Sequence, residues 1–188
     1  MNALIVSSSP NTDGLTAACA KAAADGLGAA GVPSEEIRLT EYTIGVCRQC
    51  ANGWGTCLDE HRCQVIDDFQ TLHERFCSAD TIVFVTPVYW GEMSESMKAF
   101  TDRLRRCEAT RSADRALTGR KVLAVAAAGG GGGGIVTCLE QIERLVSHLG
   151  MKRFDLIGVT RWTRDAKLAA ITGSARLLGE AVSAEPTT

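Results

Sequence analysis

Short apolar, β-branched runs alternate with longer amphipathic stretches along most of the chain. The spacing predicts strands over 3–6, 36–39, 81–86, 121–126 and 154–159, and helices over 14–30, 68–77, 93–107, 135–149 and 164–182. On the third helix Met93, Met97, Phe100 and Leu104 recur at helical spacing. On the fourth, Ile135, Cys138, Leu139, Ile142, Leu145, Val146 and Leu149 do the same. Both stripes read as core. The runs Ile82-Val83-Phe84-Val85 and Val122-Leu123-Ala124-Val125 are continuous rather than alternating, as expected of strands covered on both faces.

Five strand–helix units in series predict an α/β fold with a parallel sheet between two helical layers. Five units fit a flavodoxin-like three-layer fold, a five-stranded parallel sheet in the order 2-1-3-4-5. At 188 residues, one domain spanning 1–188 is expected, with a frayed tail after residue 184. Residues 40–67 break the rhythm. They have little periodicity and hold four cysteines, and so long a loop is functional or is organised by something other than secondary structure.

Composition narrows the function classes. A formal net charge of -2 gives no electrostatic case for nucleic acid or an anionic membrane. No apolar run approaches the roughly 18 residues of a membrane span. Met1 leads straight into the first strand without a basic or apolar leader, so a cytoplasmic location is expected. In that compartment eight cysteines are not a disulfide framework.

Three segments that follow predicted strands carry residues of ligand-binding type. Ser7-Ser8-Ser9-Pro10-Asn11-Thr12-Asp13-Gly14-Leu15-Thr16 ends a buried strand and opens a helix. A helix N-terminus offers unpaired N–H donors and the positive end of the dipole, so an anion settles there. Hydroxyls and the Asn11 amide add neutral donors. The segment lacks Lys, Arg, GxGxxG and GxxxxGK(S/T), which favours a mononucleotide over a dinucleotide or a P-loop nucleotide. A plain N-capping turn is the structural alternative. Thr86-Pro87-Val88-Tyr89-Trp90-Gly91 lies at the C-terminal end of the third strand, where open α/β sheets bind ligands, and its two aromatics suit a flat ring. After the fourth strand come six glycines, 129–134, whose backbone can approach the polar edge of the same ring; a flexible loop is the alternative.

Ser8-Ser9-Pro10-Asn11 with Leu15-Thr16, Cys63, Asp67-Asp68-Phe69, the segment Thr86 to Gly91, Met97-Lys98, Phe100 and Asp102-Arg103 resemble NAD(P)H-dependent FMN reductases of the flavodoxin superfamily. That group is close to the iron–sulfur flavoproteins. The resemblance covers roughly residues 1–150 and implies FMN as cofactor. Its phosphate site is expected at Ser8, Ser9, Asn11, Gly14, Leu15 and Thr16, and its ring site at Pro87, Val88, Tyr89, Trp90, Gly91, Gly129, Gly130 and Gly131. Related loops carry Arg after the Pro, where this chain has Asn11. NAD(P)H is the implied electron donor, a quinone, a flavin or another small molecule the acceptor, and a homodimer or homotetramer the assembly. No catalytic residue is assigned, because the nicotinamide and the flavin carry the hydride chemistry themselves. A flavodoxin-type carrier without a nicotinamide site is the alternative, and the near-neutral charge counts against it. Lys98, Asp102 and Arg103 are expected to fix the third helix and subunit contacts, with the arginines at 103, 105 and 106 on a solvated face.

Cys47, Cys50, Cys57 and Cys63 supply four thiols, enough for all-thiolate ligation of an iron–sulfur cluster or zinc. The resemblance to iron–sulfur flavoproteins points to a cluster and an electron relay. Six residues separate Cys50 from Cys57, whereas the related motif is tighter, so no metal ligand is assigned and free thiols are the expectation. Cys19, Cys77, Cys107 and Cys138 fall on predicted helices as small core residues. His61, His73 and His148 have no ligand-like spacing and read as surface or packing residues.

Overall fold

Alternate residues of the central strands point into two separate cores, which is why these strands show no alternation of apolar and polar positions. Leu4 and Val6 of β1 (Ala3–Ser7) join Ile82, Phe84, Val122 and Ala124 in one buried cluster. Ala3 and Ile5 join Val83, Val85, Leu123 and Val125 in the other. The computed structural model describes residues 1–111 and 116–184, so the tail expected to fray lies outside the described residues. The remaining strands are β2 (Ser34–Arg38), β3 (Thr81–Tyr89), β4 (Glu92–Met93), β5 (Lys121–Ala128) and β6 (Lys152–Thr160).

The five long strands form a parallel sheet in the spatial order β2-β1-β3-β5-β6, which is the expected flavodoxin-like arrangement. The sixth strand, β4, is an antiparallel hairpin partner at the end of β3, with Val88 opposite Met93 and Tyr89 opposite Glu92. Met93 is therefore a strand residue and not the start of the third helix. Its spacing from Met97 fits a helical stripe, but pairing with Val88 decides its conformation.

Helices α2 (Phe69–Ser78), α3 (Glu95–Glu108) and α4 (Ile135–His148) cover the first core. Ser94 caps α3, its hydroxyl accepting from the N–H of Met97. Helices α1 (Leu15–Ala29) and α5 (Arg164–Ser183) cover the second core and pack closely on each other. Gly26 makes that approach possible. A Cβ there would meet the Thr172 carbonyl oxygen at 2.3 Å and Ala175 Cβ at 2.8 Å. Among the described residues no helix is long and apolar enough to cross a membrane.

Two alanine substitutions on α1 separate packing from propensity. Gly28 has nothing within 4 Å of a new Cβ, so Gly28→Ala raises stability by up to about 1 kcal/mol through helix propensity. Gly26→Ala meets backbone and lowers stability by about 1–2 kcal/mol net, overpacking outweighing the same gain. Urea midpoints of the two variants, moving in opposite directions from the parent, check both.

Candidate functional site

All three candidate segments sit at the C-terminal edge of the sheet, after β1, β3 and β5. Ser8, Ser9, Asn11 and Gly14 form the turn into α1, and Leu15 and Thr16 open the helix. Gly14 is the N-cap, and no side chain among the described residues caps the helix end. No acidic residue lies in its first turn either, so the N–H donors and the positive dipole end face out unopposed. Ser9 and Thr16 are buried beside this end. The Ser9 hydroxyl accepts from the N–H of Asn11 at 3.2 Å, and Thr40 donates to the Ser9 carbonyl at 3.3 Å.

Ser8 is turned inward. Its hydroxyl donates to Thr86 Oγ1 at 3.1 Å and accepts from Ser94 Oγ at 2.8 Å, while the Ser94 N–H donates to Thr86 Oγ1 at 3.1 Å. This buried hydroxyl cluster ties the first loop to the base of the β3–β4 hairpin. Thr86 opens the second candidate segment, whereas no sequence motif marks Ser94; both are tertiary partners of Ser8.

Pro87, Val88 and Tyr89 end β3, and Trp90-Gly91 is the two-residue hairpin turn. Both turn residues have positive φ, 52° at Trp90 and 83° at Gly91, as a hairpin turn of this hand requires. Trp90 is fully exposed and Tyr89 is 38% exposed. The turn rests on the glycine loop: Thr137 Oγ1 donates to the Gly91 carbonyl at 2.8 Å. A Cβ on Gly134 would come within 2.4 Å of Gly91 Cα. Gly129, Gly130 and Gly131 are exposed at the end of β5. Trp162, just past β6 and 70% exposed, flanks Gly131; a Cβ there would meet its ring at 3.2 Å. Trp162 was legible as an aromatic after a predicted strand end, in the same pattern as Tyr89 and Trp90.

The loop between β2 and α2 holds a second assembly. Cys47, Cys50, Cys57 and Cys63 line one cavity of about 20 Å³ together with Arg103, Arg106 and Cys107 of α3. The thiols are free and half-buried. The backbone around them is strained, with φ of 47° at Gln49, 49° at Ala51 and 54° at His61. No three of the loop sulfurs lie within 4.8 Å of one another among the described residues. A tetrahedral zinc with Zn–S of about 2.3 Å would hold them roughly 3.8 Å apart. The loop is thus not drawn together around a single ion.

The family model for NADPH-dependent FMN reductase matches residues 1–156. The chain belongs to that family. An iron-sulfur flavoprotein of Methanocaldococcus jannaschii is 30% identical over 105 residues, 56% of this chain and 52% of the relative. An iron-sulfur flavoprotein of Archaeoglobus fulgidus is 33% identical over 129 residues, 65% of this chain and 63% of the relative. The chain thus matches about half to two thirds of the length of these two relatives. Among solved structures, an NAD(P)H:quinone oxidoreductase from Methanothermobacter marburgensis superposes with a TM-score of 0.68 at 18% identity, covering 100% of this chain and 98% of that one. This likeness is one of fold.

This FMN reductase family member buries two charged clusters under its long loop, where the sequence suggests a solvated helix face. Arg103 is 1% exposed. Its Nη1 and Nη2 donate to the two Asp67 carboxylate oxygens at 2.6 and 2.9 Å, and the guanidinium stacks over Phe69 at 4.2 Å. Arg106 donates to the Gly53 carbonyl at 2.5 Å and lies over Trp54. Arg103 shares the apolar face of Phe100, Leu104 and Cys107, a helical-spacing signal that marks it as inward-facing. Lys98 and Asp102 pair with each other on the half-exposed side. In the second cluster His73, Cys77 and Glu108 meet, with His73 Nε2 2.7 Å from Glu108 and Arg111 at 3.3 Å. Burial pushes the Cys77 thiol up to about 12, and Glu108 beside it adds to the effect.

Burial opposes ionisation of Asp67, but Arg103 and the N–H groups of Gly45 and Phe69 outweigh it and hold the carboxyl below its usual range. Burial likewise opposes the Glu108 charge and is outweighed by His73 and Arg111. Both native pKa values are depressed, so their contribution is complete above the unfolded carboxylate range, about 4, and is lost as pH falls through the native values. Urea midpoints are expected to be level from pH 7 to about 5 and to drop below about 4. Asp67→Asn leaves Arg103 buried without its carboxylate, costs about 3–5 kcal/mol at pH 7, and makes the acid decline shallower.

Proposed function

We propose that the protein is an FMN-dependent NAD(P)H oxidoreductase that reduces a quinone, a flavin or another small acceptor. The observation that carries this reading is the open N-terminus of α1, which lies on the same sheet edge as the Tyr89–Trp90 hairpin and the glycine loop. Family membership and the fold likeness to a quinone oxidoreductase support it.

In this reading the Asn11 side-chain amide, the backbone N–H groups of Leu15 and Thr16 and the hydroxyls of Ser9 and Thr16 hold the FMN phosphate. Ser8 positions the loop through Thr86 and Ser94 rather than touching the phosphate. Pro87, Val88, Tyr89, Trp90 and Gly91 bound one side of the ring, and Gly129, Gly130 and Gly131 bring backbone to its polar edge. FMN, when bound, supplies the ring that accepts hydride from the nicotinamide. The protein's part is to hold that ring in an apolar, aromatic-lined edge and to leave room for a second ring beside it. A homodimer or homotetramer is the assembly this reading expects.

The cysteine loop favours a second role beside the first. Four loop thiols lining one cavity with Arg48, Arg103 and Arg106, in a chain related to iron-sulfur flavoproteins, make a donor set that fits an iron–sulfur cluster. A cavity of about 20 Å³ has room for about one water, so the loop must widen to admit one. Cys47, Cys50, Cys57 and Cys63 would be the ligands.

Rapid mixing of the FMN-loaded protein with NADH or NADPH is expected to bleach the flavin absorbance. Flavin that stays oxidised with both donors, yet is reduced by dithionite, would reduce the protein to a carrier. Thr16→Ala removes a hydrogen bond to a charged group, worth about 1.5–3 kcal/mol, and weakens FMN binding roughly 10-fold or more. Unchanged affinity in a Ser9→Ala, Thr16→Ala double variant would place the phosphate elsewhere. For the second role, anaerobically prepared protein should carry iron and acid-labile sulfide in stoichiometric amount. Metal-free protein with four titratable loop thiols would count against it.

A further inference from the structure

Arg103 is the largest fully buried side chain among the described residues, and its hydrogen bonds leave it aimed at the thiols. Beyond the two bonds to Asp67, Nη1 donates to the Gly45 carbonyl at 3.1 Å. Nη2 donates to the Val65 carbonyl at 3.5 Å and to the sulfur of Cys63 at 3.2 Å. Its Nε–H is buried without a partner among the described residues, in a side chain that lines the thiol cavity. The chain therefore spends a buried charge and a donor on a cavity walled by sulfur. The bonds to Asp67, Gly45 and Val65 tether the loop, but tethering gives no reason for the further donation to the Cys63 sulfur.

We propose that Arg103 is a positioning residue for the group held by Cys47, Cys50, Cys57 and Cys63, donating to the Cys63 sulfur and making that group easier to reduce. The inference rests on the cluster reading given above. Its physical basis is charge. Each reduction adds a negative charge beside the thiolates, and a hydrogen bond to a ligating sulfur stabilises the more negative state. A guanidinium at the same spot adds a full positive charge in a site screened from water. Asp67 offsets part of that charge and fixes the fork so that one Nη faces Asp67 and Cys63 together. Arg48 and Arg106 also line the cavity and add further positive charge. Arg103 and Asp67 therefore act on the cluster in opposite directions.

The test uses the anaerobically prepared, cluster-loaded protein, labelled with nitrogen-15 arginine and chemically reduced. Pulsed electron paramagnetic resonance is expected to show coupling of the cluster spin to arginine nitrogen, whose strongest component is lost in Arg103→Lys and kept in Arg48→Lys and Arg106→Lys. Redox titration followed by the same signal should place the midpoint of Arg103→Lys below that of the parent and the midpoint of Asp67→Asn above it. Damage to the fold alone does not move two neighbouring variants in opposite directions. The labelled parent needs no substitution, so the coupling is read even where a variant fails to fold. A full cluster with no arginine coupling, or with both midpoints unmoved, overturns the role of Arg103 and leaves the cluster reading intact. Protein that takes up no iron and sulfide overturns both.

Discussion

The Arg103–Asp67 pair holds the long irregular loop to the body of the protein. A buried ion costs several kcal/mol of desolvation even after relaxation, and only a well-made pair with its remaining donors used offsets that. Here the fork of Arg103 meets both oxygens of Asp67, and its spare N–H groups reach two loop carbonyls and a loop sulfur. Asp67 in turn accepts from the N–H of Gly45 near the start of the loop and from that of Phe69 at the start of α2. One ion pair thus substitutes for the ladder hydrogen bonds that residues 40–67 lack. Without it the four cysteines would have no common wall.

The sheet edge is organised by different means. Hydroxyls join its parts at one end, where Ser8, Thr86 and Ser94 share hydrogen bonds between the first loop, β3 and the cap of α3. Close backbone approach joins them at the other, where Gly91 and Gly134 meet with no Cβ between them. The turn before α1, the aromatic hairpin and the glycine loop are therefore tied to one another in the fold itself. In the proposed reading such coupling leaves little reorganisation to oppose binding of an anion by neutral donors.

The two assemblies differ in electrostatic style. At the N-terminus of α1 peptide dipoles and neutral hydroxyls offer the donors, an arrangement suited to an anion. At the thiol cavity three arginines, Arg48, Arg103 and Arg106, stand beside sulfur, which suits a group whose charge changes with its redox state. In the proposed reading, the sheet edge holds a two-electron centre and the sulfur pocket a one-electron centre.

Local pattern in the sequence was enough for the strands, the helices, the parallel sheet and the turn before α1. Each depends on spacing within a dozen residues, and continuous apolar runs such as Ile82 to Val85 have few other solutions. The turn into α1 was readable for the same reason, being one contiguous strand–loop–helix segment. Tertiary structure decided what meets what. Met93 left its helical stripe because β3 offered it a strand partner. Trp162 became a neighbour of Gly131 only through the pairing of β5 with β6. Arg103 carried a spacing signal for burial, but its charge argued for solvent, and only the arrival of Asp67 from 36 residues away resolved that conflict. Periodicity is a property of a segment, whereas the partner that makes a buried charge tolerable is a property of the fold.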